Sequence, residues 1–354
     1  MKIGKLDLKH KLLVAPLADI TDAAFRTIAK EFGAGLTFTQ MVSAKGVVKN
    51  NFETLRLLVF SRTEKPIGVQ LLGNDPFFLR GAVNELKNLQ PDVIDFNCGC
   101  PVDKVTKHNM GASLLDDTKK LGDLIREMVA EAGDMPISVK LRLGKDARNI
   151  NIIDNVKAAQ DNGAAFVTVH ARTKVDRYDE EPKWEWITKV KDSIQIPVVA
   201  NGSIFTPNDA KNIIENYGAD SVMVARGALG NPFIFDGFNK LMEFGTIPEY
   251  PTPEEIKDVA IKHINLLVQD YGEANGINKV KKHIIWYFRN LPALDQLIDK
   301  IFACKNRDEL IELISFHYKN IKTNNYESDA KENFDKLFNS KVQFWLSEED
   351  SIVK

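Results

Sequence analysis

Two cysteines lie one residue apart in the stretch DFNCGCPVDKV at residues 95–105, and the second of them, Cys100, directly precedes a proline. A thiol in such a position serves one of three purposes: chemistry, metal binding, or packing as a small apolar side chain. A zinc site built from Cys98, Cys100 and His108 is disfavoured, because zinc sites normally pair two C-x-x-C spacings. Catalysis and packing are the main alternatives for these two thiols, whereas Cys304 lies on a predicted helix face and is expected to be core.

The residues that end the short apolar runs in the first two thirds of the chain are mostly polar. They are Pro16, Gln40, Gln70, Asn97 with the two cysteines, Lys140, Arg142, His170, Arg172, Asn201 and Arg226. Any one of these residues could simply cap a strand. If the runs are parallel strands, however, their carboxyl ends meet on one face, and the whole set predicts a site there.

The apolar runs themselves indicate the fold class. Eight of them, 12–16, 36–40, 67–71, 93–97, 137–141, 166–170, 197–201 and 221–225, alternate with segments of helical periodicity. Continuous apolar runs of this length are typical of strands buried on both faces, and eight strand–helix units predict a (β/α)8 TIM barrel. A doubly wound open sheet is the competing α/β fold, but no GxGxxG fingerprint follows any of the runs.

The composition changes after the eighth unit. The segment TIPEYPTPEE at residues 246–255 carries three prolines and is predicted to be a linker, and the chain beyond it shows three- and four-residue apolar spacing. We therefore predict a barrel domain over residues 1–245 and a small helical domain over residues 253–354. The acidic stretch between Glu327 and Asp350 matches no recognised pattern and is left without an assigned role.

The overall composition limits the function classes. The 354 residues are 44% hydrophobic and 27% charged, with a formal net charge of −2. The chain is therefore not a strongly basic protein, and any nucleic-acid-binding surface must be local. No stretch has the length of a signal peptide or a membrane span, which predicts a cytoplasmic protein without membrane contact. Three cysteines cannot form a disulfide framework.

The last two strands are predicted to be followed by an anion site. ANGSI at 200–204 and ARGALGNP at 225–232 place small residues where backbone N–H groups can approach a phosphate, and Gly202, Ser203, Arg226 and Gly227 would supply donors and charge. Lys140 is suited to the hydrogen-bonding rim of a flavin, although a barrel lysine can equally form a Schiff base. The residues around Lys140 leave both alternatives open.

Taken together, these motifs resemble the tRNA-dihydrouridine synthases. The resemblance covers nearly the whole chain and rests on APLADITDAAFR at 15–26, QLLGNDP at 70–76, DFNCGCPVDKV at 95–105, SVKLRLG at 138–144, VHART at 168–172 and ARGALGNP at 225–232. It implies an enzyme that uses FMN to reduce uridine in tRNA to 5,6-dihydrouridine, with NADPH as the transient reductant of the flavin. No obligate protein partner is evident.

The resemblance also implies roles for individual residues. The implied FMN-binding positions are Pro16, Leu17, Ala18, Gln70, Lys140, His170, Asn201, Gly202, Ser203, Ala225, Arg226 and Gly227. The implied substrate contacts are Asn97, Lys104 and Arg172 in the barrel. In the helix KVKKHIIWYFRN they are Lys282, His283, Tyr287 and Arg289.

Cys100 aligns with the catalytic cysteine of the family. Reduction of uracil needs a hydride at C6 and a proton at C5, and a thiol with an ordinary pKa near 8.5 is mostly protonated at neutral pH. We therefore predict that Cys100 is the general acid and that its pKa is ordinary or raised.

The chain departs from the family pattern at a few positions. Gln40 stands where a glutamate is expected, and His108 stands where a small residue is usual.

Two other functions are possible for such a chain. One alternative function is that of a flavin barrel that reduces a free pyrimidine, which would not need the helical domain. The other is a tRNA-binding factor that keeps FMN as a structural ligand, which the intact Cys100 disfavours.

Overall fold

The protein is described here from a computed structural model that covers residues 1–3, 6–246, 249–289 and 294–319. The described chain forms two compact units. The first holds residues 1–204 and 208–225, and the second holds residues 205–207 and the described residues from 226 onward. The acidic stretch from Glu327 to Asp350 lies outside the described residues.

The first unit contains a nearly closed barrel of eight parallel strands, as predicted. The strands of this unit, in chain order, are β1 (Lys2–Ile3), β2 (Leu6–Asp7), β3 (Leu12–Val14), β4 (Thr37–Phe38), β5 (Val42–Ser43), β6 (Ile67–Leu72), β7 (Val93–Cys98), β8 (Ile137–Arg142), β9 (Phe166–His170), β10 (Val198–Asn201) and β11 (Ser221–Val224). The order around the barrel is β3-β11-β10-β9-β8-β7-β6-β4. The Val14 N–H donates to the Leu36 carbonyl (2.9 Å), which links the first and second barrel strands.

Apolar side chains fill the barrel interior at the amino-terminal ends of the strands. Leu13, Phe38, Val93, Phe166 and Met223 pack in one buried cluster, and Ile3 and Leu8 from the β1–β2 hairpin region complete it. Because side chains alternate along a strand, the residues two and four positions further along these strands face the same interior space. The interior then becomes polar toward the carboxyl ends.

Helices connect the strands on the outside of the barrel. They are α1 (Ala23–Glu31), α2 (Ala44–Val48), α3 (Phe52–Leu55), α4 (Pro76–Leu89), α5 (Asp103–Thr106), α6 (Thr118–Ala132), α7 (Ile152–Asp161), α8 (Glu185–Ser193) and α9 (Pro207–Tyr217). Side-chain caps start several of them: Asp22, Asp75 and Asp117 each accept a backbone N–H of the first turn.

The second unit is helical. It contains α10 (Phe233–Phe244), α11 (Pro253–Tyr271), α12 (Glu273–Phe288), α13 (Leu294–Ala303) and α14 (Arg307–Lys319). Helix α11 begins at the predicted residue, with Pro253 in its first turn and a capping box between Thr252 and Glu255. Gly276 of α12 lies against the backbone of α11, since a Cβ there would stand 2.6 Å from the Leu267 carbonyl oxygen.

None of the helices within the described residues combines the length and the apolar composition that crossing a membrane requires.

Candidate functional site

A layer of polar side chains occupies the barrel interior above the apolar cluster. Gln70, Asp95, Asn97, Ser138 and Asn201 are all at most 8% exposed, and each lies on a barrel strand. The parallel register pairs Gln70 with Asp95 and Asp95 with Ser138, so these side chains come from neighbouring strands at the same height. Buried polar groups of this kind need hydrogen-bond partners, and the layer supplies them internally.

Asp95 is the centre of this layer, and sequence reasoning missed it. Its carboxylate accepts a hydrogen bond from Gln70 Nε2 (2.7 Å) and another from Ser138 Oγ (2.6 Å). Complete burial raises the pKa of Asp95 to about 6, against the lowering effect of these two hydrogen bonds and of the nearby Lys140. In the sequence, only the alternation of side-chain directions along the strand VIDFN indicates that Asp95 faces the interior.

Asn97 joins the polar layer to the turn that carries Cys100. Its Nδ2 donates to Gln70 Oε1 (2.9 Å), and its Oδ1 accepts the backbone N–H groups of Gly99 (3.1 Å) and Cys100 (2.9 Å). An Asx-type turn of this kind fixes the backbone of the two residues that follow β7. The predicted contact of Asn97 with uracil stays a prediction, because most of its polar atoms are used within the protein.

Cys100 is half-buried at the carboxyl end of the barrel. Its carbonyl oxygen accepts the Ala112 N–H (2.9 Å), which brings the GASLL segment against it. Gly111 has a φ of 59°, and a Cβ there would stand 2.7 Å from the Cys100 carbonyl oxygen. A glycine is therefore required beside Cys100 both by conformation and by space.

Cys98 has a different environment although it is only two residues away. It is fully buried, and burial raises its pKa well above the ordinary value, with the negative charge of Asp95 acting in the same direction. Cys304, in the helical unit, is also buried, and burial raises its pKa. Among the three thiols, Cys100 is the one with appreciable exposure.

Lys140 and Asn201 meet across the interior of the barrel. The half-buried Lys140 ammonium donates to Asn201 Oδ1 (3.1 Å), and Asn201 Nδ2 donates to the Met223 carbonyl (2.8 Å). Thr168, which pairs in register with Lys140, has a buried hydroxyl without a hydrogen-bond partner among the described residues. The structure thus brings together the predicted Gln70, Asn97, Lys140 and Asn201.

His170 and Arg172 organise the loop that follows β9. Arg172 is 1% exposed, and it donates to the Tyr178 carbonyl (3.1 Å) and to Ser203 Oγ (2.8 Å), with one nitrogen 3.2 Å from His170 Nε2. Arg142 approaches the same loop, with its guanidinium carbon 5.5 Å from the centre of the Tyr178 ring. The predicted substrate contact of Arg172 stays a prediction, and Tyr178 was missed because nothing in the sequence marks it.

The turn after β3 contains the predicted residues Pro16, Leu17 and Ala18, all half-buried. Gln40 holds this turn, because its Oε1 accepts the backbone N–H of Asp19 (2.6 Å), whose φ is 56°. A glutamate would offer the same acceptor, so the departure from the family pattern at Gln40 preserves this hydrogen bond.

The two predicted phosphate loops fall in different compact units. In the first unit, Gly202 lies against Trp184, since a Cβ there would stand 2.3 Å from the indole ring, and Ser203 accepts from Arg172. Ala225 is half-buried at the end of β11. In the second unit, Arg226 lies 5.4 Å from the Phe205 ring centre and Gly227 is buried. Their joint action on a phosphate stays a prediction.

Lys104 and His108 lie on the exposed surface beyond Cys100. Lys104 is in the short helix α5, and the His108 carbonyl accepts a hydrogen bond from Asn74 Nδ2 (2.8 Å). Within the described residues, no three His, Cys, Asp or Glu side chains lie together in the way a metal site would need.

The residues predicted to contact RNA on α12 are buried. The His283 ring centre lies 4.3 Å from that of His263, with the two rings tilted by 49°. Tyr287 Oη lies 3.3 Å from His263 Nδ1, and Arg289 donates to the Leu229 carbonyl (2.5 Å). Burial lowers the pKa of His263 to about 3 and that of His283 well below its ordinary value. Lys282 is 7% exposed. Their burial leaves little side-chain surface for the predicted RNA contact, which stays a prediction.

Chemically, the barrel mouth combines a half-buried thiol, an ammonium group and several amide groups in a buried polar layer. This set can bind a flat hydrogen-bonding ring and can exchange a proton with it through sulfur.

Known proteins resemble this chain over most of its length. The family model described as "Dihydrouridine synthase (Dus)" matches residues 13–324. The tRNA-dihydrouridine synthase B of Vibrio vulnificus is 36% identical over 293 residues, which cover 82% of this chain and 89% of that protein. The probable tRNA-dihydrouridine synthase 1 of Synechocystis is 34% identical over 316 residues, which cover 89% and 88%.

The fold is also found in solved structures. Histamine dehydrogenase from Rhizobium sp. 4-9 superposes with a TM-score of 0.54 at 16% identity, covering 76% of this chain and 50% of that chain.

Proposed function

The chain belongs to the dihydrouridine synthase family, and from this membership we propose that it reduces uridine in tRNA to 5,6-dihydrouridine. The observation that carries the proposal beyond family membership is the half-buried Cys100 thiol, held by Asn97 at the carboxyl ends of the barrel strands. TIM-barrel enzymes have their active sites at the carboxyl ends of the strands.

The donor set at the barrel mouth fits FMN. The amide groups of Gln70 and Asn201, the Lys140 ammonium and the imidazole of His170 are of the types that can hydrogen-bond the polar edge of a flavin ring. We assign the turn Pro16, Leu17 and Ala18 to the same ring, and Gly202, Ser203, Ala225, Arg226 and Gly227 to its phosphate. Bound FMN, recharged by NADPH, would supply the hydride that C6 of the uracil receives.

Cys100 supplies the proton. Addition of a hydride at C6 leaves negative charge at C5 and O4, and the Cys100 S–H bond breaks as its proton moves to C5. The resulting thiolate takes a proton from solvent before the next turnover. Cys98 does not take part in this step, because its thiol is fully buried.

A nucleotide must leave its stack to reach the barrel mouth. Extrusion of a base costs a few kcal/mol in paired RNA and less in a loop, so the loops of a folded tRNA are the expected targets. Asn97, Lys104 and Arg172 of the barrel are the proposed contacts for this nucleotide. The helical unit, with Lys282, His283, Tyr287 and Arg289, is proposed to hold the body of the tRNA.

The proposal is tested with the purified full-length protein. We expect a yellow protein that releases FMN on denaturation and that, with NADPH, forms dihydrouridine in an unmodified tRNA transcript, as measured by nucleoside mass spectrometry. Free uridine and UMP serve as the comparison. Reduction of the free pyrimidines at the rate of the tRNA would favour the small-molecule alternative, and bound FMN without any reduction would favour the binding factor.

A further inference from the structure

Four side chains form one hydrogen-bonded series from the barrel interior to the turn that carries Cys100. The series runs from Ser138 Oγ to Asp95, from Asp95 to Gln70 Nε2, from Gln70 Oε1 to Asn97 Nδ2, and from Asn97 Oδ1 to the N–H groups of Gly99 and Cys100.

The direction of the series agrees at both ends, because the backbone N–H groups of Gly99 and Cys100 can only donate and an ionised carboxylate can only accept. An ionised carboxylate accepts hydrogen bonds and cannot donate them, so the Gln70 amide must turn its NH2 group toward Asp95. Its carbonyl oxygen then faces Asn97 and can only accept, so the Asn97 amide turns its NH2 group toward Gln70. The Asn97 oxygen is thereby left to accept the backbone N–H of Cys100.

We propose that Asp95 is a positioning residue: its carboxylate accepts the last N–H of the series and so holds the Gln70 and Asn97 amides and, through them, the turn that presents Cys100. This inference rests on the proposed function, because it assigns Asp95 a role toward the proton donor of that reaction. Asp95 itself does not touch the thiol, and it acts through two intervening side chains.

The hydrogen bonds of the series depend on whether Asp95 is ionised. Once protonated, the carboxyl group can donate to Gln70 Oε1, and a reversed Gln70 amide would set its NH2 group against the Asn97 NH2 group. Asn97 would then lose its hydrogen bond to Gln70 and would hold the turn less firmly, because the Gly99 and Cys100 N–H groups can bind only its oxygen. Within the described structure, the titratable or charged groups that act on Asp95 are Lys140 on β8 and Cys98 on β7.

The first experiment is hydrogen–deuterium exchange of the Gly99 and Cys100 amides in the FMN-loaded enzyme, followed by mass spectrometry of the peptide that spans them. In Asp95→Asn, whose neutral amide can present either end to Gln70, we expect these amides to exchange roughly fivefold to tenfold faster at pH 8, the effect of losing about one hydrogen bond. In the wild type, after correction for intrinsic exchange, protection should be lost as the pH falls through about 6.

The second readout is the single-turnover oxidation of the reduced enzyme by tRNA. Asp95→Asn should slow it by on the order of 10- to 100-fold, because the donor is misplaced. Saturating FMN and saturating tRNA separate this effect from binding, because Gln70 and Asn97 are also proposed contacts of FMN and of the nucleotide. The fall of the wild-type rate below about pH 6 should be absent in the variant.

The matched control is Ser138→Ala, which removes the other partner of Asp95 but leaves its contact with Gln70. Protection at pH 8 should be as in the wild type. Because the Ser138 hydrogen bond lowers the pKa of Asp95, its loss should move the pH midpoint of protection upward.

The possible outcomes separate this inference from the proposed function. Wild-type protection and wild-type rate in Asp95→Asn would overturn the inference. If that variant does not fold, an unchanged pH midpoint in Ser138→Ala would overturn it instead. If the wild type makes no dihydrouridine while Asp95→Asn still loses protection, the proposed function fails and the positioning of the turn by Asp95 is supported.

Discussion

Two cysteines separated by one glycine have opposite environments in this protein, and that difference decides which of them can react. Cys98 ends β7 with its side chain fully buried, whereas the turn fixed by Asn97 leaves Cys100 half-buried at the barrel mouth. The motif identified both thiols as candidates. Their exposure follows from the alternation of the strand and from the Asn97 turn.

Alkylation should therefore distinguish the three thiols. We expect iodoacetamide at pH 8 to modify Cys100 first, because a buried thiol with a raised pKa is both inaccessible and protonated, as for Cys98. Peptide mass spectrometry over time measures the three rates, and the denatured protein is the control in which all three should react alike. Modification of Cys98 in the folded protein as fast as Cys100 would contradict the described environments.

The buried Asp95 carboxylate should make the protein less stable as pH rises. Its pKa is 3.8 ordinarily and about 6 in the folded protein, so between these values the unfolded chain ionises while the folded chain keeps its proton. The free energy of unfolding therefore falls by about 3 kcal/mol as the pH rises, and the fall is complete above pH 6.

The variant Asp95→Asn lacks this loss. Relative to the wild type, its free energy of unfolding should rise by about 2.5 kcal/mol between pH 4 and pH 7.5. Urea unfolding at the two pH values measures this change. The same difference between the two proteins at both pH values would show that Asp95 does not carry the shifted pKa.

At the scale of elements, glycines set how closely segments of the helical unit approach. Gly230 has a φ of 60°, and a Cβ there would stand 2.2 Å from the carbonyl carbon of Trp286 in α12. Gly245, which ends α10 with a φ of 72°, has nothing within 4 Å of the same position.

These two glycines form a matched pair for mutation. Gly245→Ala should cost only the left-handed backbone penalty, about 1 kcal/mol. Gly230→Ala should cost about 3 kcal/mol or more, because the α12 backbone must also move. Thermal unfolding followed by circular dichroism measures both. Equal costs would mean that the turn at Gly230 does not pack on α12.

The elements of the barrel were predictable from the sequence, and part of the site was too. Each of the eight barrel strands coincides with a predicted apolar run, with β6, β7 and β8 extending one residue beyond it, because buried parallel strands have a continuous apolar composition. Asp95 was not predictable, since its environment is made by Gln70 and Ser138, which lie 25 and 43 residues away in the chain. Tyr178 was missed for the same reason: Arg142 and His170 reach it from other strands.

At the scale of the whole molecule, burial reduces the number of cations that the helical unit can offer to RNA. Between Asn278 and Lys322 the sequence has nine basic residues against five acidic ones, but Lys281, Lys282 and Arg289 are buried. Among the described side chains from 278 to 319, the cations that are not buried are Lys279, Lys300, Lys305, Arg307 and Lys319. The corresponding acids are Asp299, Asp308, Glu309 and Glu312. Phosphate contacts should therefore depend on few exposed cations.

Lys300 and Lys305 are exposed cations of this set, and their removal should weaken tRNA binding. Each contact to a phosphate contributes about one to the slope of log K against log salt, so Lys300→Gln with Lys305→Gln should reduce that slope by about 2. Lys11, exposed at the amino-terminal end of β3, is the control, and Lys11→Gln should leave the slope unchanged. Equal slopes in all the proteins would place the RNA elsewhere.

The most direct test of the proposed reaction is the single-turnover oxidation of reduced enzyme by unmodified tRNA. Cys100→Ala should slow the formation of dihydrouridine by on the order of 10²- to 10⁴-fold, as expected for a lost general acid, with FMN still bound. Cys98→Ala should retain a rate close to that of the wild type. Formation of dihydrouridine by Cys100→Ala at the wild-type rate would contradict the assignment of Cys100 as the proton donor.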